Sequence, residues 1–421
     1  MKKILLSAAT LLLVFTSKIF AQRTCASYEH LQEQMANDPQ FAHKVQENER
    51  NFYNYMQNKQ LRKGHTTNLT IPVVVHVVYN TPQQNISDAQ VQSQITVMNE
   101  DFTASNNDYN NYDAGYGAVK GDFGIEFCVA QIRHVHTNRK SFVTNDGVKK
   151  TRQGGDDAID PEHTLNIWVC NLGQNLLGYA QFPGGPANTF GIVILYSAFG
   201  RGAQYNLISA YNLGRTATHE IGHCLGLRHI WGDATCGNDF VDDTPLHNAA
   251  NFGCPGEGHR STCTGTPLEM WMNYMDYTDD RCMYFFSDGQ GTRADFFIST
   301  DPQLQTIVIS TACSTGPGNH LLVNTGDAVN TISSRLAKGD FAIYPTITNG
   351  SINIQLNAAK SGLAEVNIYN QTGALVMKQQ IVVVEGINTN EMNIGRLQNG
   401  VYILQLNQDN KKMVKKLIVQ H

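Results

Sequence analysis

Three histidines and one glutamate lie close together in the chain, at spacings that suit a metal ion. They form the pattern H-E-x-x-H-x-x-G-x-x-H, made by His219, Glu220, His223, Gly226 and His229. On a helix, the first two histidines lie one turn apart along the axis and about 40° apart around it, so both imidazoles face the same point. Zinc takes nitrogen ligands at about 2.0–2.1 Å, and this pair supplies two of them.

The third histidine is within reach only if the helix ends. In a continuous helix, His229 would lie roughly 15 Å along the axis from His219. Gly226 can take the left-handed backbone conformation that ends a helix and turns the chain back. His219, His223 and His229 are therefore the predicted zinc ligands, and three protein ligands leave the open position of a catalytic site. Glu220 lies off the ligand face and is the predicted general base for an attacking water. The whole pattern favours this site over an ordinary amphipathic helix with two exposed histidines.

Length and charge narrow the possible classes of protein. The chain has 421 residues, which predicts two or three domains. A formal net charge of −5 provides no basic surface for nucleic acid. Beyond the N-terminal segment, the chain contains no run that is long and apolar enough to span a membrane.

The first 65 residues predict export and later processing. Residues 1–21 combine a lysine-containing start, an apolar core and a small residue at Ala21, as in a secretory signal peptide. A membrane anchor is the alternative, but the apolar run is short for one. Residues 22–65 are polar with apolar residues at helical spacing, and a basic stretch at 62–67 suits proteolysis. They predict a propeptide, with an extended N-terminal arm as the alternative.

Residues 66–310 predict the catalytic domain. Residues 71–79 form a continuous apolar, β-branched run that is typical of a buried strand. A helix is expected from the N-cap residue Ser87, and the helix with the histidine motif from about Gly214. Further strands are expected at 124–132, 164–170, 178–182 and 191–197. This interleaving predicts an α/β (α+β) fold with a twisted mixed sheet backed by helices.

The composition changes after residue 310. Residues 311–339 are rich in Gly, Ser, Thr and Asn and predict a linker. Residues 340–421 alternate apolar and polar side chains between short polar turns, which predicts an all-β sandwich.

Nine cysteines in an exported chain are expected to pair for the most part, with at least one left over. Cys128 and Cys170 lie in strand-like runs, where they could form bridges or simply be buried. The pattern assigns no partner to Cys224 or Cys313. Four more lie just after the histidine motif and predict two disulfides in a long irregular loop: Cys236, Cys254, Cys263 and Cys282.

The residues from His219 to His229 resemble the metzincin zinc signature, and residues 272–277 resemble the Met-turn of the pappalysin family, the ulilysin-like secreted metallopeptidases. The resemblance covers about residues 69–299. It implies a two-lobed peptidase with a five-stranded twisted sheet above the cleft and the zinc helix along its floor. It also implies protein or peptide substrates and the disulfides Cys236–Cys263 and Cys254–Cys282.

The same resemblance suggests roles for residues around the zinc site. Met275 would pack beneath the histidines, and Tyr277 could donate a hydrogen bond to the tetrahedral oxyanion, unless it is only a core tyrosine. Residues 178–183 resemble the exposed edge strand that binds the substrate backbone, with an ordinary edge strand as the alternative.

The acidic loop at 238–244 could hold a structural calcium ion, as in family members. Its oxygen-bearing residues suit this hard cation, and a solvated acidic turn is the alternative. The expected ligands are Asp239, Asp243, Thr244 and the carbonyl group of Val241.

Two further residues could control the enzyme. Cys25 could place a thiolate at the open zinc position and keep a zymogen latent, as in some metzincins; the alternative is a free or lipid-modified thiol. Arg281 stands where family members that cleave before Arg or Lys carry an acidic residue. It predicts a P1′ preference for Asp or Glu, unless Asp279 or Asp280 takes over the specificity pocket.

The C-terminal sandwich resembles the sorting domain of type IX secretion at residues 343–345 and 400–403, although the usual Y-P-N-P pattern is altered here. A carbohydrate-binding or adhesive module is the alternative, but all three tryptophans lie elsewhere in the chain. The resemblance implies the type IX secretion machinery as a partner. It also implies passage through the periplasm of a gram-negative bacterium to the medium or cell surface.

Together, these features predict a secreted, monomeric zinc metalloendopeptidase that is made as a zymogen. An alternative is a catalytically inactive, zinc-containing binding protein of the cell surface, but such a protein would be free to lose Glu220. A weaker alternative is a hydrolase of non-peptide amides that uses the same zinc chemistry.

Overall fold

The structure is a computed structural model of the chain. It describes residues 24–57, 69–308, 310, 312–314, 340–344, 347–348, 350–383, 386–408 and 411–420. The predicted signal peptide, the basic segment at 62–67 and most of the predicted linker lie outside these residues. The chain divides into two compact units, residues 1–316 and 317–421.

The first unit contains six helices and seven strands among its described residues. The helices are α1 (Ser27–Asn37), α2 (Pro39–Gln57), α3 (Asp88–Phe102), α4 (Arg215–Cys224), α5 (Asp288–Thr300) and α6 (Pro302–Val308). The strands are β1 (Leu69–Tyr79), β2 (Lys120–Gly121), β3 (Ile125–His136), β4 (Leu165–Cys170), β5 (Gly178–Ala180), β6 (Gly191–Leu195) and β7 (Phe286–Ser287). No described helix is long and apolar enough to cross a membrane.

Five of these strands form one mixed sheet in the order β3-β1-β4-β6-β5. The first four are parallel, and β5 lies antiparallel to β6 at the edge. The apolar run in β1 is buried on both faces: Val73, Val75 and Val77 contribute to the larger core, whereas Val78 belongs to a second cluster with Trp168. The mixed sheet backed by helices confirms the predicted fold class.

Helix α4 carries the first two histidines of the motif, and local interactions define where it starts. Gly214 precedes it with a φ of 83°, a left-handed conformation that favours glycine. The carboxylate of Asp280 accepts hydrogen bonds from the backbone N–H groups of Leu213 (2.9 Å) and Arg215 (3.2 Å). A carboxylate at this end of a helix also interacts favourably with the helix dipole.

Three disulfides stabilise the first unit. Cys236–Cys263 and Cys254–Cys282 are the two pairs implied by the family resemblance. The third, Cys128–Cys313, joins β3 to the segment after α6. Cys313, which lies just past the predicted end of the catalytic domain at 310, is therefore joined to the first unit. Cys25, Cys170 and Cys224 are buried free thiols.

The predicted propeptide forms the helices α1 and α2, and their apolar side chains pack on the rest of the first unit. Leu31, Phe41 and Val45 surround Phe182, which follows β5. Farther along α2, the ring of Phe52 packs edge-on against Phe296 of α5, with centroids 5.3 Å apart. The helical spacing of apolar residues in this segment therefore marks the surface of α1 and α2 that contacts the rest of the unit.

Among its described residues, the second unit contains two sheets of mostly antiparallel strands, in the orders β13-β10-β8 and β12-β11-β14-β15-β9. Side chains from both sheets form one buried core, as expected for a sandwich. Its strands are β8 (Phe341–Tyr344), β9 (Ile347–Thr348), β10 (Ser351–Ala358), β11 (Gly362–Tyr369), β12 (Leu375–Val383), β13 (Gly386–Asn393), β14 (Gly400–Gln408) and β15 (Lys411–Val419).

Candidate metal centre

The three histidines of the motif converge on one point, and Cys25 of the predicted propeptide lies at the same point. The Nε2 atom of His223 is 3.2 Å from the Nε2 atoms of both His219 and His229. The Cys25 Sγ atom is 3.5 Å from His223 Nε2. The four ligand atoms all lie within 4.8 Å of one another, and all four residues are buried.

The N–N distances of 3.2 Å and the S–N distance of 3.5 Å to His223 fit a tetrahedral zinc ion. With Zn–N bonds of about 2.0–2.1 Å, two nitrogens of a tetrahedron are about 3.3–3.4 Å apart. With a Zn–S bond of about 2.3 Å, the sulfur lies about 3.5 Å from each nitrogen. The chain therefore provides three nitrogens and one sulfur at spacings suited to zinc, the metal that this donor set favours.

The other nitrogen of each imidazole is held by an oxygen atom. Nδ1 of His219 donates to the carbonyl of Tyr274 at 2.7 Å, and Nδ1 of His223 donates to the carbonyl of Leu227 at 2.8 Å. The carboxylate of Asp233 holds Nδ1 of His229. Each contact leaves the Nε2 lone pair directed at the common point. Burial lowers the pKa of His223 well below its usual value, which keeps this imidazole neutral and able to bind a metal.

Gly226 makes the turn that brings in the third histidine. Its φ is +86°, and a Cβ atom at this position would lie 2.2 Å from Cδ2 of Phe297. Glycine is therefore required both for the backbone conformation and for the close packing on α5. Beyond the turn, the ring of His229 stacks on that of Trp231, with centroids 4.3 Å apart.

Met275 lies beneath the histidines, where the family resemblance places it. Its side chain is fully buried, and its carbonyl accepts a hydrogen bond from the N–H of Ile230, next to His229. Its Sδ atom packs so closely on α4 that a Cβ atom at Gly222 would lie 2.5 Å away. The Met-turn thus supports the zinc helix from below.

Glu220 and Tyr277 lie beside the four ligand atoms. The Glu220 Oε2 atom accepts a hydrogen bond from the hydroxyl of Ser27 at 2.7 Å and is 3.4 Å from Cys25 Sγ. The Tyr277 hydroxyl is 3.2 Å from His229 Nε2 and donates to the Cys25 carbonyl at 3.0 Å. Burial, followed by the charges of Cys25 and Glu220, raises the pKa of Tyr277 well above its usual value, so the phenol remains a hydrogen-bond donor.

The predicted propeptide also covers strand β5. The Ala26 N–H donates to the Gly178 carbonyl at 3.1 Å, and the Leu177 N–H donates to the Thr24 carbonyl at 3.0 Å. Strand β5 lies at the sheet edge as predicted, but the prediction of an exposed strand is wrong for this form of the chain. Its residues are buried because the segment from Thr24 to Ser27 lies against them.

The acidic loop brings three of the four predicted calcium ligands together. The Thr244 hydroxyl is 2.9 Å from both Asp239 carboxylate oxygens and 2.9 Å from the Val241 carbonyl. Asp243 instead accepts hydrogen bonds from the Ser287 hydroxyl and the Gly289 N–H at the start of α5. Burial raises the pKa of Asp239 to about 7, and hydrogen bonds from the Thr244 hydroxyl and the Val241 N–H act in the opposite direction.

Arg281 is not enclosed in a pocket. Its side chain is 73% exposed, and its Nε atom lies 3.7 Å from the carboxylate of Asp279. Asp280, considered as an alternative pocket residue, is instead buried and caps α4. The sequence could not separate these roles, because the three residues are consecutive and only the fold determines which side chain is enclosed.

The sequence also gave no indication of the polar network that holds the start of α4. The Arg215 guanidinium contacts Asp101 of α3, Asp108 and the hydroxyl of Tyr274. Thr218 donates to the other Asp101 oxygen at 2.6 Å. These partners are distant in the chain, and no local pattern connects them. The network joins α3, the zinc helix and the Met-turn.

Comparison with known proteins agrees with this geometry. Residues 149–298 match the family model of pregnancy-associated plasma protein-A, and residues 342–420 match the secretion system C-terminal sorting domain. The extracellular metalloprotease of Arthroderma benhamiae is 32% identical over 237 residues, which are 54% of this chain and 77% of the relative. The chain belongs to the pappalysin family of metalloproteases. A second extracellular metalloprotease, from Colletotrichum graminicola, is 32% identical over 69% of this chain and 94% of its own length.

Solved structures of pappalysin-type enzymes are also similar to this chain. Mature mirolysin of Tannerella forsythia, in complex with a cleaved peptide, is 43% identical with a TM-score of 0.56, over 59% of this chain and 99% of that one. Promirolysin of the same organism is 40% identical with a TM-score of 0.60, over 68% of this chain and 97% of that one. The family implies zinc, and the second unit of this chain is a type IX sorting domain.

Proposed function

We propose that this pappalysin is a secreted zinc endopeptidase, synthesised as a latent monomer and activated by loss of residues 22–65. The observation that carries the proposal is the convergence of three histidines and Cys25 on one point beside Glu220. The similarity to both mature mirolysin and promirolysin supports a cycle of latency and activation.

His219, His223 and His229 would hold zinc, which supplies a Lewis acid for the scissile carbonyl and lowers the pKa of a water molecule. Glu220 takes the proton from the attacking water and then delivers it to the leaving amine. The Tyr277 hydroxyl, which remains protonated, donates a hydrogen bond to the developing oxyanion.

In the latent chain, the propeptide contacts the metal ligands, Glu220, Tyr277 and the edge strand. Cys25 would supply the fourth ligand to the metal, and Ser27 hydrogen-bonds to the general base Glu220. The Tyr277 hydroxyl donates to the Cys25 carbonyl, and the backbone around Ala26 lies on the edge strand that would bind a peptide substrate. Proteolysis in the basic segment at 62–67 would cut the covalent link and allow residues 22–57 to dissociate.

The sorting domain supports export by type IX secretion, through the periplasm of a gram-negative bacterium, to the medium or the cell surface. We also propose a structural calcium ion in the acidic loop. Asp239, Thr244 and the Val241 carbonyl supply oxygens close together, and a bound cation would favour the ionised form of the buried Asp239 carboxyl group.

We also propose the acidic P1′ preference, and we expect its effect on cleavage rates to be small. Arg281 is largely solvated and its charge is partly offset by Asp279, so screening by water and by the ion pair weakens its field.

The first prediction concerns catalysis. The Glu220→Ala variant, freed of its propeptide, should lose about 10²- to 10⁴-fold in kcat on casein-derived peptides, because the general base is gone. It should retain its zinc, measured by metal analysis. Full activity in a zinc-loaded Glu220→Ala chain would contradict the assigned role. A mature parent enzyme with zinc that cleaves no protein would favour the inactive binding protein instead.

The second prediction concerns latency. Cys25→Ser should raise peptide hydrolysis by the uncleaved chain at least about tenfold, because a hydroxyl is a much weaker zinc ligand than a thiolate. Cys170→Ser is the matched control, since Cys170 is also a buried free thiol but lies outside the centre. If the Cys25 variant remains as inactive as the parent zymogen, the thiol does not maintain latency.

The third prediction concerns calcium. Added Ca²⁺ should raise the Tm of the parent chain, with a larger gain at pH 8 than at pH 6, because Asp239 must be ionised and its pKa lies at about 7. Asp239→Asn should lose most of the gain, whereas the exposed Asp242→Asn should keep it. A Tm that does not respond to Ca²⁺ at either pH would rule out this site.

The fourth prediction concerns specificity. A cleavage-site profile of the mature enzyme on a peptide library should show Asp or Glu enriched at P1′ by about two- to threefold, with the enrichment lost in Arg281→Gln. Dominant cleavage before Arg or Lys would refute the proposed role of Arg281.

A further inference from the structure

A pocket of two arginines in the enzyme domain binds the side chain of Glu49 in the propeptide helix α2. The Glu49 Oε1 atom accepts hydrogen bonds from Arg228 Nε (3.1 Å), Arg228 Nη2 (2.9 Å) and Arg293 Nη2 (2.7 Å). The Arg293 side chain is fully buried, and that of Arg228 is 16% exposed. Burial alone would raise the pKa of Glu49, but the two arginines hold it below its usual value.

The enzyme domain itself keeps this arginine pair in place. Arg293 Nε donates to the Gly226 carbonyl at 2.8 Å, and its guanidinium lies 5.1 Å from the ring centroid of Phe297. The ring of Phe240 lies near both guanidinium groups, 5.1 Å from Arg228 and 5.8 Å from Arg293. These contacts do not involve the propeptide, whose Phe52 ring also lies 4.7 Å from the Arg293 guanidinium. Arg293 therefore keeps its contacts with Gly226 and Phe297, and Arg228 its contact with Phe240, after the propeptide is removed.

Glu49 uses only part of what the pocket offers. Arg293 Nη1 is buried and has no hydrogen-bond partner among the described residues, and the same is true of Glu49 Oε2. Two guanidinium groups can hold a carboxylate through both of its oxygens, which is the stronger arrangement. A free acidic side chain that is not fixed on α2 could satisfy the donor that Glu49 leaves unpaired.

The pocket is also close to the metal centre. Arg228 directly precedes the zinc ligand His229, so their Cα atoms are about 3.8 Å apart. Gly226, whose carbonyl fixes Arg293, is the residue at the end of the zinc helix. Both arginines are therefore tied to residues of the metal centre, where a peptide substrate would be cleaved.

We propose that, once the propeptide has left, Arg228 and Arg293 form a subsite for a Glu or Asp side chain of the protein substrate. Glu49 occupies this subsite in the latent chain. The inference rests on the proposed endopeptidase function, and it assigns a preference for acidic residues at a position different from the P1′ preference attributed to Arg281.

Paired peptides test the subsite. A neutral quenched-fluorescence peptide is made with either Glu or Gln at each position on either side of the cut, and kcat/KM is measured with the mature enzyme. At one position other than P1′, Glu should be favoured about tenfold, mainly through a lower KM. The Glu-to-Gln ratio should fall close to one in Arg228→Gln and remain partly elevated in Arg228→Lys.

The ratio within each variant serves as an internal control, because general damage to the fold slows cleavage of both peptides of a pair. The matched control variant is Arg152→Gln, which removes an exposed arginine and should keep the parent ratio. A Glu-to-Gln ratio near one at every position other than P1′ in the parent enzyme would overturn the inference. So would a tenfold ratio that persists in Arg228→Gln.

A binding measurement separates this inference from the proposed function. The Glu220→Ala chain is freed of its propeptide with trypsin and purified by gel filtration. The fluorescence anisotropy of the labelled Glu and Gln peptides then gives their Kd values for this mature variant. About tenfold tighter binding of the Glu peptide, lost in Glu220→Ala/Arg228→Gln, supports the subsite even if the parent enzyme cleaves nothing. Equal binding of the two peptides overturns the subsite even if the enzyme proves to be an active protease.

Discussion

The zinc helix must end within one turn of its second histidine. Several contacts in the first unit serve to end the helix there and to hold the turn that follows. His219 and His223 can share a metal only from one face of a helix, and His229 reaches the same point only through the left-handed turn at Gly226. The turn packs so tightly on Phe297 that a side chain larger than hydrogen would clash. Helix α5 and the zinc centre therefore depend on each other.

The other contacts of α4 hold this geometry in place. Arg215 and Thr218 tie the start of the helix to Asp101 of α3, and Asp280 caps its first N–H groups. Met275 supports it from below, and the Tyr274 carbonyl orients His219. Buried charge networks of this kind are costly to disrupt, because a lost partner leaves an uncompensated charge. Each of these contacts therefore helps to fix the position of α4 and of the imidazoles that it carries.

The propeptide contacts the same part of the first unit. Cys25, Ser27 and Glu49 each meet a polar group that the enzyme domain fixes independently: the metal site, the general base and the arginine pair. In the proposed cycle of latency and activation, a peptide substrate would use these same groups after the propeptide leaves.

The sequence predicted the features that depend on residues close together in the chain. The start of α4 at Gly214, the turn at Gly226 and the buried strand β1 all follow from short patterns, and the structure confirms them. Other features depend on residues far apart in the chain. The exposure of Arg281, the capping role of Asp280 and the pairing of Cys128 with Cys313 require the folded arrangement. The Glu49 pocket likewise joins residues separated by 179 and 244 positions.

The central claim is that one zinc ion is held by three histidines and by Cys25 until the propeptide leaves. Zinc K-edge absorption spectroscopy of the uncleaved and mature chains tests it most directly. The uncleaved chain should show one zinc with three nitrogen ligands and one sulfur ligand at about 2.3 Å, and the mature chain should show the sulfur replaced by oxygen. A zinc shell without sulfur in the uncleaved chain would contradict the account.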